Sequence, residues 1–180
     1  MEKNGIIIMN KQVALLGLVE ILSALSIGIF ILTLTYRLVK IYGSKRLGID
    51  EGNLAYNILI ASLLFSVGHV VNGVVQPLLD SFRLLSKSDI SSLQLILKFL
   101  AYGGLYIAIA YILSISISLL GIYVYTYITP LDELKEIRNN NIGVGITVST
   151  IVIILTLFTK DGIILFIESL VPHPNFPTTL

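Results

Sequence analysis

Four polar side chains stand inside long apolar stretches of this sequence, and their types suit chemistry within a membrane. They are Glu20, Asn57, His69 and Asn72. A charged group at the centre of a membrane span costs roughly 2.5–3.5 kcal/mol on insertion scales, so such groups usually face a partner or water. Glu20 is therefore either a proton or cation site, or a protonated or hydrogen-bonded carboxyl near the interface or against a neighbouring subunit.

His69 lies near the middle of its apolar stretch, with Ser66 and Asn72 at helical spacing. A Glu20–His69 pair fits if neighbouring helices alternate in direction, although a histidine hydrogen-bonded across a helix interface is the commoner outcome. A haem held by two histidines would need His173, which lies in a Pro-rich tail. The sequence contains no cysteine, which removes thiolate zinc and iron–sulfur sites. We therefore predict neither a metal site nor a cofactor.

Motifs of soluble catalysis are missing from the sequence. It contains no GxSxG, no HExxH and no Gly-rich phosphate loop. The longest polar connections, residues 81–92 and 130–141, have about 12 residues each. A net charge of +1 gives no electrostatic footprint for nucleic acid. The prediction is a protein that is not an enzyme and binds no nucleic acid.

Composition indicates a chain dissolved in lipid. Of its 180 residues, 55% are hydrophobic and 13% are charged, against about 25% charged residues in soluble domains. The mean hydropathy is +0.90. These values predict a multi-pass protein of the cell (plasma) membrane, with the lipid bilayer as its first partner.

The elements that must position these residues are four apolar stretches, each close to or beyond the length of about 20 residues that a spanning helix needs. They are residues 13–34, 54–79, 93–127 and 142–158. None alternates apolar with polar residues as barrel strands do, so we predict an all-α, polytopic fold. Pro77 is expected to kink or end the second helix. Lys160-Asp161-Gly162 is expected to interrupt the fourth, leaving residues 163–171 as its continuation or as a membrane-surface segment.

The chain repeats itself with a shift of 88 residues, which lays Ile49–Ala55 over Ile137–Gly143. Each copy holds an even number of spans, so both copies enter the membrane from the same side. We therefore predict two parallel repeats, residues 13–79 and 93–158, each a helical hairpin. The four-helix domain covers residues 13–171, between an N-terminal extension (1–12) and a Pro-rich C-terminal tail (172–180).

An asparagine precedes the second span of each repeat: Asn53 in the first and Asn141 in the second. As helix caps they would accept a hydrogen bond from a free backbone N–H, an interaction typically worth about 1 kcal/mol. A second interpretation has both line one polar vestibule near the symmetry axis. Asn139 and Asn140 are expected to be solvated turn residues that tolerate replacement.

The segment Thr129–Ile146, with its acidic-Ile turn followed by asparagine and small residues, resembles the signature of the YjfL-like family, domain of unknown function 350. The resemblance extends over roughly residues 13–170. It implies a four-helix membrane protein with no established reaction, and it assigns no functional residue.

Basic residues suggest an orientation. Four of them, Arg37, Lys40, Lys45 and Arg46, fall within ten positions after the first span. Because cytoplasmic loops are enriched in Lys and Arg, we predict that the two Asn-bearing turns are cytoplasmic and that both termini lie outside.

Two hypotheses for function follow. In the first, the chain is a non-catalytic accessory subunit of a larger respiratory or transport complex, packed against other membrane-protein subunits or copies of itself. In the second, it is a small homo-oligomeric ion channel or proton-coupled carrier that uses Glu20 and His69, together with Asn57. The small size and minimal polar loops favour the first.

Overall fold

A computed structural model describes residues 2–50, 52–85, 92–130 and 132–170, with side chains other than those of 2–16, 19, 20, 76, 80–85 and 92. Its helices are α1 (Glu2–Tyr42), α2 (Leu54–Leu85), α3 (Ser92–Ile128), α4 (Glu133–Arg138) and α5 (Ile142–Ser169), and a π-helical turn (Gly43–Leu47) follows α1. Strands are absent from these ranges, which confirms the predicted all-α class.

Among the described residues, four helical stretches are long and apolar enough to cross a membrane. They are Ile21–Leu47, Leu54–Leu79, Leu93–Ile128 and Ile142–Ser169. Each exceeds the 20 or so residues that span about 30 Å of hydrocarbon. The four-span prediction is confirmed on length and composition.

Three helix boundaries differ from those expected. Helix α1 begins at Glu2, so the predicted N-terminal extension is continuous with the first helix. Helix α2 continues through Pro77 to Leu85, and α5 runs through Lys160-Asp161-Gly162 to Ser169. Of the two outcomes expected at Pro77, a kink or an end, the end is wrong, and so is the break expected at 160–162. The physical reason is that a helix end inside lipid would leave backbone N–H and C=O groups without hydrogen bonds. Each such group costs several kcal/mol, so the helices continue. The tail 172–180 lies outside the described residues.

The centre of the fold is a pair of parallel helices, α2 and α5. Near their starts, a Cβ on Gly145 would lie 2.9 Å from both the Cα and the carbonyl oxygen of Ala55, so the two backbones touch. Near their ends, Gly73 of α2 faces Ile164 and Lys160 of α5. Small residues at such contacts let helix axes approach closely.

The other two long helices run antiparallel to this pair. The Tyr56 hydroxyl of α2 donates to the Val39 carbonyl of α1 at 2.6 Å, and further along Gly68 faces Leu32. Helix α3 starts beside the end of α2, where Gly103 faces Leu78. Both turns, residues 43–53 and 129–141, therefore lie at the same end of the molecule. We refer to it as the turn end and to the opposite end as the far end.

Helices α1 and α3 are not placed alike around the central pair. Helix α3 packs against both α2 and α5, whereas α1 packs mainly against α2. An apolar cleft of about 560 Å³ separates α1 from α3. In the most apolar 18-residue segment of α1, 11% of the residues are buried inside the molecule, whereas 50% are buried in the corresponding segment of α2. Helix α1 is thus the peripheral element.

Two apolar clusters fill the core, with small hydroxyl residues along the helix interfaces. The far-end cluster centres on Val67, Val70, Val74 and Tyr106, and the turn-end cluster on Leu59, Leu63, Ile137 and Val148. The buried hydroxyl residues are Thr35, Ser62, Ser66, Ser114, Ser118, Ser149 and Thr156. Several bond the carbonyl one turn back in their own helix, as Thr156 does to Val152 at 2.9 Å.

The Ala55–Gly145 contact gives the first prediction. Gly145→Ala should lower the free energy of unfolding by about 1–3 kcal/mol, because the new methyl meets backbone atoms that cannot move aside. The matched control is Gly104→Ala, where no atom lies within 4 Å of the added Cβ and helix propensity gains up to about 1 kcal/mol. Unfolding in mixed detergent–SDS micelles, followed by circular dichroism, measures both variants. Equal stabilisation by the two substitutions would contradict the contact.

Candidate functional site

Asn53 joins the start of α2 to the end of α4. Its Oδ1 accepts from the Tyr56 N–H at 2.8 Å, which caps its own helix. Its Nδ2 donates to the carbonyls of Ile137 at 2.8 Å and Arg138 at 3.1 Å. The side chain is only 7% exposed. The Asn53 amide therefore accepts from a backbone N–H at the start of α2 and donates to two backbone carbonyls at the end of α4, which are the groups that helix ends leave without partners of their own helix.

Asn140 makes the reciprocal connection. It lies at φ 61°, where α4 ends with Asn141 N–H donating to Glu136 O and Asn140 N–H donating to Ile137 O. This is the Schellman arrangement, which needs a left-handed residue at that position. The Asn140 Oδ1 also accepts from the Ala55 N–H at 3.1 Å. Asn140 is an exposed turn residue, as expected, but its side chain also caps a helix 85 residues away, so we now expect its replacement to be costly.

Asn141 starts α5 with a weaker set of bonds. Its Oδ1 accepts from the Val144 N–H at 3.4 Å, and its Nδ2 donates to Glu136 Oε2 at 2.8 Å. It is exposed. Asn53 and Asn141 thus occupy corresponding places at the starts of α2 and α5, but Asn53 makes more of the contacts.

A polar hollow of about 490 Å³ lies at the turn end, lined by both connecting segments. Asn53, Arg138 and Asp50 line it, and Asn141 does not. The structure therefore does not place the two capping asparagines in one vestibule. Most of the hydrogen-bonding capacity of Asn53 is used in joining helices.

Glu133 is a polar residue that the sequence did not single out. It is 1% exposed, at the first position of α4, and its Oε1 accepts from the Thr129 hydroxyl. Its Oε2 has no hydrogen-bond partner within the described residues. Its place in a charged turn predicts solvent exposure, so no sequence signal marks its burial.

A groove of about 290 Å³ runs between α2 and α5 on the face opposite α3. It is lined by Ile58, Ala61, Ser62 and Phe65 of α2, and by Ile146, Ser149, Thr150 and Ile153 of α5. The Oγ of Ser149 is buried and has no hydrogen-bond partner among the described residues. In hydrocarbon such a hydroxyl favours a partner on an adjacent helix.

Two ionisable side chains of α5 lie near enough to His69 of α2 for their charges to act on its ring. The His69 ring stacks on Phe65, with ring centroids 5.5 Å apart. The charges of Lys160 and Asp161 both act on His69. The Lys160 stem crosses α2 at Gly73, where an added Cβ would lie 2.8 Å from Lys160 Cε. The sequence did not point to Lys160, because a Lys-Asp-Gly triplet is typical of a helix break. The sequence feature that could have identified Lys160 is its position between two apolar stretches.

The four residues predicted as one intramembrane site do not come together. Leu32 faces Gly68, and Glu20 lies 12 residues before Leu32 in the antiparallel α1. At 1.5 Å per residue, the Glu20 backbone is about 16 Å further toward the far end than that of His69. Asn57 is exposed about 18 Å from His69 along α2. Asn72 is exposed beside the α1–α2 interface, where it lines a small cavity.

Comparison with known proteins recovers one family. Residues 93–167 match the family model described as Domain of Unknown Function (DUF350). The resemblance stated above is thus confirmed over the DUF350 region, which holds most of α3, all of α4 and nearly all of α5. No curated protein and no solved structure matches the chain. Within the described residues, no group of three or more His, Asp or Glu side chains is placed to hold a metal ion.

The asparagine bonds give the second prediction. Asn53→Leu should lower the free energy of unfolding by about 3 kcal/mol, because it removes a buried cap of α2 and the amide donor to two carbonyls of α4, of which, among the described residues, only that of Ile137 keeps another donor, the Asn140 N–H. Asn141→Leu should cost about 1 kcal/mol, since its bonds are longer or exposed. Asn140→Gly keeps the left-handed backbone but loses the bond to Ala55, and should cost about 1 kcal/mol.

Asn139→Leu is the control for this series. Asn139 is exposed, and its replacement should leave the unfolding transition unchanged. Equal losses for Asn53→Leu and Asn139→Leu in the same SDS titration would contradict the joined helix ends.

Proposed function

We propose that the chain is a non-catalytic subunit of a larger membrane assembly, of the respiratory or transport kind, and that it contributes helix packing. The single observation that carries the proposal is the apolar groove between α2 and α5. Its opposite face is filled by α3, whereas the groove itself exposes an apolar surface with the buried Ser149 hydroxyl between its walls. A transmembrane helix is the element that fits such a groove.

The exposed face of α1 supports the same proposal. Leu18, Leu22, Leu25 and Ile29 are each more than half exposed. Their spacing of four, three and four residues is that of a coiled-coil seam, which suits packing against another helix. Since α1 packs mainly against α2, this seam is available to a neighbouring subunit.

A tryptophan in the groove gives the third prediction. Thr150→Trp should displace a partner helix and reduce co-purification of partner subunits in a mild detergent, because the indole fills the space that the helix needs. Thr147→Trp is the matched control, since Thr147 and Thr150 are both exposed threonines of α5 bonded to their own helix. Only Thr150 lines the groove. Native mass spectrometry of the purified complexes compares the two variants.

The result of the Thr150→Trp experiment also distinguishes the subunit proposal from the second hypothesis, a homo-oligomeric channel or carrier. A homo-oligomer without other subunits, unchanged by Thr150→Trp, would contradict the subunit proposal. If that homo-oligomer also dissipates a proton gradient in liposomes and His69→Gln abolishes the flux, the channel or carrier replaces it. The charges of Lys160 and Asp161 that act on His69 support that alternative, whereas the separation of Glu20 from His69 weakens it.

We also infer that the protein spans the cell membrane with its turn end in the cytoplasm, and that its two hairpins are parallel repeats. The parallel course of α2 and α5 and the corresponding caps support the repeat. The cluster of Arg37, Lys40, Lys45 and Arg46 at the turn end supports the orientation.

Single cysteines test both inferences, because the natural chain has none. This is the fourth prediction: Ser44→Cys and Asn139→Cys should both be protected from an impermeant maleimide on intact cells and become labelled after permeabilisation. Labelling of both on intact cells would reverse the orientation. Labelling of one alone would refute the parallel repeats.

A further inference from the structure

We propose that a water molecule binds at the centre of the three-helix core, held by the hydroxyls of Ser66 in α2, Ser114 in α3 and Thr156 in α5. The site lies inside the molecule, so the inference goes beyond the proposed function and does not depend on what occupies the groove between α2 and α5. It assigns a ligand to two buried hydroxyls and a role to that ligand, which is to join α3 to the central helix pair.

Ser66 and Ser114 are buried hydroxyl residues that lack a protein partner. They are 0% and 1% exposed, and neither Oγ has a hydrogen-bond partner within the described residues. A serine in a helix can bond the carbonyl one turn back in its own helix, as Ser118 does to the Ser114 carbonyl at 2.8 Å. Ser66 and Ser114 do not make this local bond. Their hydroxyls therefore remain available to a ligand.

The contacts of α3 place Ser114 at the depth of Ser66. Gly103 of α3 faces Leu78 of α2, and the two helices are antiparallel. Twelve residues back from Leu78 is Ser66, and twelve residues on from Gly103 is residue 115, so Ser114 lies nearly level with Ser66. Ser114 is also 11 residues after Gly103 and seven before Gly121, which are close to whole numbers of turns. It therefore lies on the side of α3 that faces α2 at Gly103 and α5 at Gly121.

Thr156 lies at the same depth and opposite Ser66. Ala55 of α2 touches Gly145 of α5, and these helices are parallel. Ser66 follows Ala55 by 11 residues, which is about three turns, so it lies on the α5-facing side of α2. Thr156 follows Gly145 by the same number and lies on the α2-facing side of α5. The Thr156 hydroxyl donates to the Val152 carbonyl, which leaves its oxygen free to accept a hydrogen bond.

The depth and enclosure of this site restrict its ligand to water. Ser66 lies 12 residues after the first residue of α2, about 18 Å along the axis and near the middle of about 30 Å of hydrocarbon. Each of the three hydroxyl residues is at most 1% exposed, which excludes a larger molecule, and neutral hydroxyls do not balance the charge of an ion. A buried water makes about three hydrogen bonds, the number that three hydroxyls supply.

Alanine substitutions give the fifth prediction, because the sign of their effect depends on the ligand. Ser66→Ala and Ser114→Ala should each raise the unfolding equilibrium constant about fivefold, since each removes a hydrogen bond to the water. The double variant should be hardly less stable than either single variant, because the loss of one hydroxyl already releases the water. Unfolding in mixed detergent–SDS micelles measures the series.

Ser116→Ala is the matched control in α3. Its hydroxyl is exposed and bonds the Ile112 carbonyl of its own helix, so the substitution should change the unfolding constant by less than about twofold. Removal of an unpaired hydroxyl from a dry core is stabilising. Stabilisation by Ser66→Ala or by Ser114→Ala would therefore overturn the proposal, and so would additive losses in the double variant.

Radiolytic labelling detects the water directly and separates its binding from a packing role of the serines. X-ray irradiation in oxygen-18 water produces hydroxyl radicals from bound as well as bulk water, and mass spectrometry locates the label. Val67 and Val70, fully buried next to Ser66 in the chain and one turn on, should be labelled in the natural protein and not in the double variant. Ile137, equally buried at the turn end, should stay unlabelled in both. Absence of label from both valines in the natural protein, or label that persists in the double variant, would overturn the proposal.

Discussion

The close approach of α2 and α5 at Ala55 and Gly145 is the contact on which the rest of the structure depends. It fixes the two helices as a parallel pair, and the hydrogen bonds of Asn53 and Asn140 hold α4 at the same end. In lipid the hydrophobic effect gives no preference for one helix partner over another, so van der Waals contact and hydrogen bonds decide which helices associate. The glycine permits the contact, and the two asparagines satisfy the helix ends that it brings together.

The secondary structure could be predicted from the sequence because the physics of spanning is local. The apolar character of each stretch, its length and its lack of apolar–polar alternation were enough to predict the four helices and the starts of α2 and α5. The local rules failed at Pro77 and at Lys160-Asp161-Gly162. These residues end helices in water, where a freed carbonyl finds a solvent donor, but not in hydrocarbon, where it does not.

The polar contacts were less predictable because they join residues far apart in the chain. The sequence around Asn140 indicates only a turn, and its bond to α2 is evident only in the folded structure. The charged sequence around Glu133 indicates solvent exposure, whereas the folded turn buries it. The proximity of His69 to Lys160 depends on the register between α2 and α5. The residue pattern within either helix does not determine that register. A Glu20–His69 pair was compatible with the direction of the helices, but the contact of Leu32 with Gly68 separates the two residues by about three helical turns.

The bonds of Asn53 also bear on the order of biosynthesis. Its partner carbonyls belong to residues 84 and 85 positions later in the chain, so α2 enters the membrane before the groups that complete its start have been made. At translation rates of about 5–20 residues per second, the interval is about 4–17 s. During that time the first hairpin must persist with the α5-facing side of α2 covered by lipid or by the insertion machinery. The final helix arrangement is therefore a late, post-insertion event, in which the second hairpin closes on a first one already in place.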